Sequence, residues 1–177
     1  MILDTDRLLL RSPTEHDLDA WAAMLGDPEV TRFLTRSTRR EVAKHIQIVR
    51  ERHAVDGFGL LAVVRKEDDR VIGRAGLLVW DTRTWTPTTL HEAGVHGELE
   101  IGWTLAREFW GQGYATEAGA ASRDYALVEL RRPRLISLIA HGNERSANVA
   151  EKLGLEYERD VKTYGRQVVQ LFSLTDG

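Results

Sequence analysis

The sequence predicts a mixed α/β fold: one domain over residues 1–177, with a central, mostly antiparallel sheet of about seven strands and helices on both faces. Three observations predict it. Glu98 to Leu105 alternates strictly, with Leu99, Ile101, Trp103 and Leu105 on one face and Glu98, Glu100, Gly102 and Thr104 on the other. A paired-glycine turn at Gly111 and Gly113 then leads into an alanine-rich helical stretch. Around this centre, segments of strand and helix period follow in the order strand, two helices, three strands, helix, strand, helix, two strands.

Ile2 to Arg11, with Leu8, Leu9 and Leu10 ahead of the Ser12-Pro13 break, suits a first strand. Thr14 with Asp17 opens a helix whose Leu18, Trp21, Ala22 and Leu25 recur at core-facing spacing until Gly26. Asp27-Pro28 begins a short turn or helix through Phe33. Thr38 with Glu41 caps a second helix with the stripe Val42, Ile46, Val49 and His53, ended by Asp56-Gly57. Phe58–Val64 and Val71–Trp80 are apolar runs around the charged turn Arg65–Arg70, an antiparallel hairpin. Asp81 to His96 has no period and reads as a long loop. After the strand over 98–105 and the glycine turn, Tyr114 to Leu130 is helical, and its alanines permit close approach to a sheet. Arg134–Ala140 is a further strand, Gly142-Asn143 a turn, and a short helix runs through Leu153 to Gly154. Leu155–Val161 and Val168–Leu174 close the fold as a hairpin around Thr163–Arg166.

With 177 residues, 42% hydrophobic and 29% charged, the chain has the size of one core. A net charge of −3 argues against a nucleic-acid partner, and Arg39-Arg40 and Arg131 to Arg134 read as solvated ends. There is no cysteine, hence no disulfide and no thiol nucleophile. The start alternates charge with leucine and shows neither signal peptide nor membrane span, so a cytoplasmic protein is expected. His91 and His96 match no helical zinc pair, and no metal is expected.

Chemistry concentrates in Arg107 to Ala118. Gly111 and Gly113 let the backbone turn tightly, and the unpaired N–H groups of the following helical turn attract an anion, so the expected ligand is phosphorylated. No Gly-Lys-Ser/Thr ending follows, unlike a phosphate-loop NTPase. The third glycine and later acidic residue of a dinucleotide fold are missing too.

Four segments resemble the GNAT superfamily of acetyl-CoA-dependent N-acetyltransferases, within it the RimJ/RimL-like branch, in the family's own order: Thr5 to Arg11, Glu100-Ile101-Gly102-Trp103, Trp110 to Ala118, and Asn143, Ser146 and Glu151 to Gly154. The resemblance implies a sheet splayed in the middle to admit the pantetheine arm of acetyl-CoA. It places the backbone of Trp103, Thr104 and Leu105 against that arm, and Gly111, Gln112, Gly113, Tyr114, Ala115 and Thr116 around the pyrophosphate. Asn143 and Ser146 fall at the pantetheine end. A homodimer is possible by the same resemblance. Two positions depart from the superfamily's pattern: Glu108 stands where Gln or Arg is common, and Ala150 where a tyrosine often protonates the leaving thiolate. Ser146 is then the candidate acid, its alternative role being a helix cap or plain CoA contact.

An acceptor amine attacks only when neutral. A lysine-like amine of pKa about 10.4 loses roughly 4.6 kcal/mol to deprotonation at pH 7, an α-amine far less. Glu100 and, secondarily, Glu98 are the candidate proton acceptors, directly or through water; otherwise both are exposed carboxylates that attract a cationic amine. His45 and His53 read as helix-surface or core-edge residues. Trp80, Trp85 and Phe33 are candidate walls of an acceptor pocket or plain anchors, and Tyr164 sits in the last turn. The activity that the resemblance implies is acetyl transfer to a peptide N-terminus or a small-molecule amine, and the lack of cysteine favours transfer without a covalent enzyme intermediate. The alternative is an acyl-CoA-binding sensor or scaffold that is catalytically silent.

Overall fold

The computed structural model describes residues 1–165 and 167–175. One nine-stranded sheet organises them. Its strands are β1 (Leu3–Asp4), β2 (Leu8–Arg11), β3 (Leu60–Arg65), β4 (Arg70–Asp81), β5 (Thr86–Thr88), β6 (Gly97–Leu105), β7 (Arg134–Ala140), β8 (Glu156–Lys162) and β9 (Val168–Thr175). The order is β1-β2-β3-β4-β6-β7-β9-β8, with β5 added to the end of β4. All neighbours are antiparallel except β6 and β7, whose crossover contains a helix. Five α-helices pack on this sheet: α1 (Leu18–Gly26), α2 (Arg39–Asp56), α3 (Leu90–Ala93), α4 (Tyr114–Val128) and α5 (Glu144–Lys152). Among the described residues no helix is long and apolar enough to cross a membrane.

The two faces carry separate cores. Ala75, Leu77, Val79, Leu99, Ile101 and Leu105 bury against α4 through Tyr114, Ala118 and Ala126. On the other face Trp21, Met24 and Leu25 of α1 and Val42 and Ile46 of α2 enclose Ala62. The predicted α2 cap is present in full: Thr38 Oγ1 accepts from the Glu41 N–H, and Glu41 returns a bond to the Thr38 N–H at 2.7 Å. Gly57 closes the helix at φ 77°.

Three expectations change in detail. The first strand is two, because the chain reverses at Asp6-Arg7 and pairs Leu3 with Leu10. The predicted loop 81–96 contains β5 and α3, both too short for a period to show; β5 is held by β4, and Thr89 caps α3. Thr14 opens a 3-10 turn over Glu15–Asp17 before α1 begins. Of the turn expected over Thr163–Arg166, Arg166 lies outside the described residues, while the Tyr164 N–H donates to the Trp85 carbonyl.

Asp17 anchors the start of α1 to the sheet. It is 1% exposed, accepts from the Thr14 N–H at 2.6 Å, and pairs with both terminal nitrogens of Arg11 on β2 at 2.7 and 2.8 Å. Burial opposes its charge, but the bonds from Arg11 and Thr14 outweigh it and hold its pKa below the usual value. The stabilisation is therefore complete above the unfolded pKa and is lost as pH falls through the lower folded one. Replacing Asp17 with Asn should cost about 3 kcal/mol in urea unfolding near neutral pH, and the variant's stability should fall less steeply than wild type between about pH 5 and 2. Equal acid profiles would remove Asp17 as the anchor.

Candidate functional site

The sheet opens between β6 and β7. These parallel strands share one register pair, Glu100 with Ile136, whereas β6 pairs with β4 at every position from Gly97 to Leu105. Below that pair the fork is clasped: Arg134, at the start of β7, bonds Glu98 at 3.1 Å and Glu158 of β8 at 2.7 Å. Above it the strands diverge. The Ala106 N–H donates to the Ile72 carbonyl at 2.9 Å, which sets the phase of the ladder. Alternation then turns the peptide groups of Thr104 back towards β4 and those of Trp103 and Leu105 into the fork. The Leu105 carbonyl is taken by Trp110 Nε1 at 2.8 Å. The open edge is thus the Trp103 peptide and the Leu105 N–H; Thr104 contributes its side chain to the α1/α2 face instead.

Glu100 stands at the apex. It is 8% exposed, so it is not the exposed strand carboxylate that alternation alone allows. One carboxylate oxygen accepts from Trp80 Nε1 at 2.5 Å and the other from the Leu138 N–H at 3.1 Å. The second bond replaces the ladder partner that Leu138 loses where the strands part. Burial is the main cause that pushes the Glu100 pKa up, to about 7, against the opposing pull of those two bonds and of Arg74. Glu98 is held in the Arg134 clasp, so the structure brings Glu100 to the fork and leaves Glu98 at its closed end.

The face that carries Glu100 looks towards α1 and α2. Its rows are Arg74 beside Thr104, Gly76 beside Gly102, Leu78 beside Glu100 and Trp80 beside Glu98. Arg74, Leu78, Trp80, Gly102 and Thr104 are half-buried, while Ala75, Leu77, Val79, Ile101 and Leu105 on the opposite face are buried. α1 and α2 cover this polar, half-buried face, which we call the groove. His45 of α2 reaches Arg74 across it, with Nε2 at 2.8 Å from Nη1. Burial, followed by the charges of Arg74 and Arg52, lowers the His45 pKa to about 4, so its neutral ring accepts from the guanidinium. His45 is a core-edge residue, as expected, but one fixed on a half-buried cation.

The glycine turn has the predicted geometry. Gly111 and Gly113 lie at φ 74° and 82°, and Gly113 caps α4 without a side chain. The first helical bond runs from the Glu117 N–H to the Gly113 carbonyl. Among the described residues the N–H groups of Tyr114, Ala115 and Thr116 have no acceptor, which fits a pyrophosphate. The turn is held from below by residues whose part the motif alone did not reveal. Arg7 donates to the Gln112 carbonyl at 2.9 Å and to Glu117 at 2.6 Å, and lies 4.5 Å from the Tyr114 ring centre. Thr5 Oγ1 donates to Glu117 at 2.7 Å. Glu108 pairs with Arg70 at 2.7 Å, away from the helix entrance, so its negative charge is partly neutralised.

Across the fork, Asn143 is the cap of α5: its side-chain oxygen accepts from the Ser146 N–H at 3.3 Å. Ser146 is therefore capped rather than capping, and its hydroxyl makes no intrachain bond among the described residues. Arg145, beside it, stacks 4.6 Å from the Trp110 ring centre, linking the two walls. Ala150 is fully buried in the core, so no acid acts from that position. Phe33 lies near the Gly142 turn, 3.9 Å from where a Cβ on that glycine would sit. Trp85 packs under Arg159 and against Ile136 and its neighbours, and Tyr164 is exposed. Ser137, one residue past the apex, is 3% exposed and was not singled out from the sequence; a serine inside Leu135 to Ile139 was the available signal.

The geometry has counterparts. A family model described as an acetyltransferase (GNAT) domain matches residues 7–156. The Bacillus licheniformis protein p20, described as an uncharacterized N-acetyltransferase, is 28% identical over 97% of this chain and 94% of its own length. The crystal structure of an acetyltransferase from Agrobacterium tumefaciens superposes with a TM-score of 0.81 at 25% identity, covering 99% of this chain and 95% of that one. RimL, a ribosomal-protein α-N-acetyltransferase in complex with coenzyme A, shares the fold at a TM-score of 0.74 and 16% identity, over 99% of this chain and 98% of its own. A parallel pair that parts at Glu100, a side-chain-free cradle opposite it and a family match over most of the length place this chain in the GNAT family, as an acetyl-CoA-dependent N-acetyltransferase.

Proposed function

We propose that the chain transfers acetyl from acetyl-CoA to a primary amine directly, in a ternary complex, with the two substrates entering the fork from opposite faces of the sheet. The observation that carries this reading is Glu100: a buried carboxylate with a pKa of about 7, at the apex of the fork and on the floor of the α1/α2 groove. A base poised near the working pH is the one best matched to removing a proton from an ammonium nucleophile.

On the α4 side, the N–H groups of Tyr114, Ala115 and Thr116 bind the pyrophosphate, with Gly111, Gln112 and Gly113 forming the turn beneath it. The Trp103 peptide and the Leu105 N–H pair with the pantetheine amides as a missing strand would. Asn143 and Ser146 border the thioester end. In the groove, Glu100 takes the proton from the acceptor nitrogen, whose lone pair then forms the new amide bond as the carbon–sulfur bond breaks. An edge N–H donates to the carbonyl oxygen as it gains charge. Ser146, whose hydroxyl makes no bond among the described residues, hydrogen-bonds or protonates the departing sulfur. Glu98 acts as the clasp that sets where the strands part.

Thiol release from acetyl-CoA, followed with a thiol-reactive dye against peptides, amino acids, polyamines and aminoglycosides, should depend on one class of amine. Silence across that panel, with heat stabilisation by acetyl-CoA retained, would point to a sensor instead. Gly113→Asp puts a side chain at φ 82° with its Cβ 3.3 Å from Arg7 Nη2, which strains the turn and draws Arg7 off the Gln112 carbonyl, and should weaken CoA binding about tenfold in a folded protein. Unchanged affinity would dismiss the cradle.

The wild-type kcat/KM should rise with pH through about 7 as Glu100 ionises. Glu100→Gln should lose that limb and fall about 100- to 10,000-fold. Because folding raises this pKa, ionising Glu100 destabilises the fold as pH rises from the unfolded value to about 7. The Gln variant should therefore lose less stability than wild type over that window, which thermal unfolding would show.

A further inference from the structure

Arg74 is a cation without a counter-anion in contact. Among the described residues no carboxylate lies within 4.0 Å of it, and its one side-chain hydrogen bond goes to the neutral ring of His45. Desolvation is strong enough to lower its pKa to about 10, which still leaves it charged at neutral pH. Yet among the described residues no buried side-chain nitrogen lacks a partner. Arg74 is half-buried, so the guanidinium nitrogens that His45 does not engage keep some access on the face that carries Glu100. Trp21 backs the group, 5.8 Å from ring centre to guanidinium carbon, and its own Nε1 is tied to the Gly73 carbonyl. A planar fork held from behind, with donors left over, is the arrangement that binds a carboxylate.

Between that fork and Glu100 the floor is low. The row separating them is Gly76 beside Gly102, and the Leu78 side chain leans over Gly102, 3.0 Å from where a Cβ would sit. Arg74 and Glu100 lie on the same face, close enough for each to shift the other's titration but too far apart to pair. The groove thus offers a fixed positive charge at one end and a proton acceptor at the other, with a short apolar span between.

Resting on the transferase reading above, we infer that the acceptor is a zwitterion: an amino acid whose carboxylate is held by Arg74 and whose amine is presented to Glu100. A polyamine would set positive charge against Arg74, and a peptide N-terminus would leave the guanidinium without its anion. Arg74 is thereby a specificity-determining residue, with His45 as the group that positions it.

The test compares each free amino acid with its carboxamide and its decarboxylated amine, by thiol release from acetyl-CoA. Wild type should favour the acid by about 10- to 100-fold in kcat/KM, chiefly through KM, as expected for a charge-assisted bidentate contact. In Arg74→Gln the ratio of acid to amide should fall towards one, and Arg74→Lys should restore part of it. A purely structural role would lower both rates together and leave the ratio unchanged, which would overturn the inference. Should Arg74→Gln fail to fold, the wild-type ratio still decides: a value of one or less overturns the inference. Acetylation of polyamines or peptides alone would remove the zwitterion and leave the transferase standing. No release with any amine, while acetyl-CoA still binds, would overturn both.

Discussion

Everything at the site depends on the place where β6 and β7 stop being neighbours. A parallel pair normally satisfies its peptide groups along its whole length, and parting leaves them without partners at a cost of order 1–3 kcal/mol each if they stay buried. The chain meets that cost in two ways. The Arg134–Glu98 ion pair holds the strands together below the divergence, and the Glu100 carboxylate caps the first orphaned N–H above it, at Leu138. The same carboxylate is thus a structural cap and the strongest candidate base. These roles are compatible because Leu138 and Trp80 donate to a carboxylate that burial alone would leave neutral. Their pull keeps the pKa at about 7 instead of higher.

The sheet then divides the work between its faces. The α4 face is closed by Ala75, Leu77, Ile101 and Leu105 and presents a helix N-terminus at the rim. The α1/α2 face keeps half-buried polar groups along β4 and β6. Strict alternation makes this possible: a period of two sends alternate residues of one strand into a dry core and into a groove a few ångströms away. On the proposed reading, anion binding draws on backbone on one side and acid–base chemistry on side chains on the other. Arg7 and Thr5, reaching from the first hairpin to Glu117, tie the cradle to the sheet so that its position is set by strands and not by the turn alone.

How legible this was from the sequence follows the range of each signal. Elements with a local signature were readable: the Thr38–Glu41 box, the alternation of 98–105, the glycines at positive φ, and β7 to the residue. Short elements held by tertiary contact were not, and β5 and α3 hid inside a stretch without period. The site was legible in its residues but not in its electrostatics. Alternation placed Glu98 and Glu100 on one face, yet only the register of β7 shows that Arg134 engages the first and that Leu138 and Trp80 enclose the second. Arg74 gave no signal, because an arginine in a strand reads as a solvent-facing residue until α2 is seen to cover it. Asn143 and Ser146 were found as a pair, and the structure reverses which of them caps the helix.

Ala150 then needs a physical account, since the position that often supplies an acid is here part of the core. The two proton problems of acetyl transfer are unequal. A departing thiol of cysteine-like pKa, about 8.5, leaves as thiolate at pH 7 for about 2 kcal/mol. Deprotonating an amine of pKa about 10.4 costs more than twice that. A site that must economise on titratable groups does better to keep the base and leave the sulfur to a hydroxyl or to water. On the reading proposed above this chain has that balance: a buried carboxylate of raised pKa at the apex, a serine hydroxyl without a bond among the described residues in the first turn of α5, and a methyl group at position 150. The methyl is not a neutral replacement, since Ala150 is buried in the same cluster as Leu135 and Ile139 of β7, which ties α5 to the sheet. That packing holds Asn143, and with it the first turn of α5, beside the end of β7, where the Asn143 N–H donates to the Ala140 carbonyl.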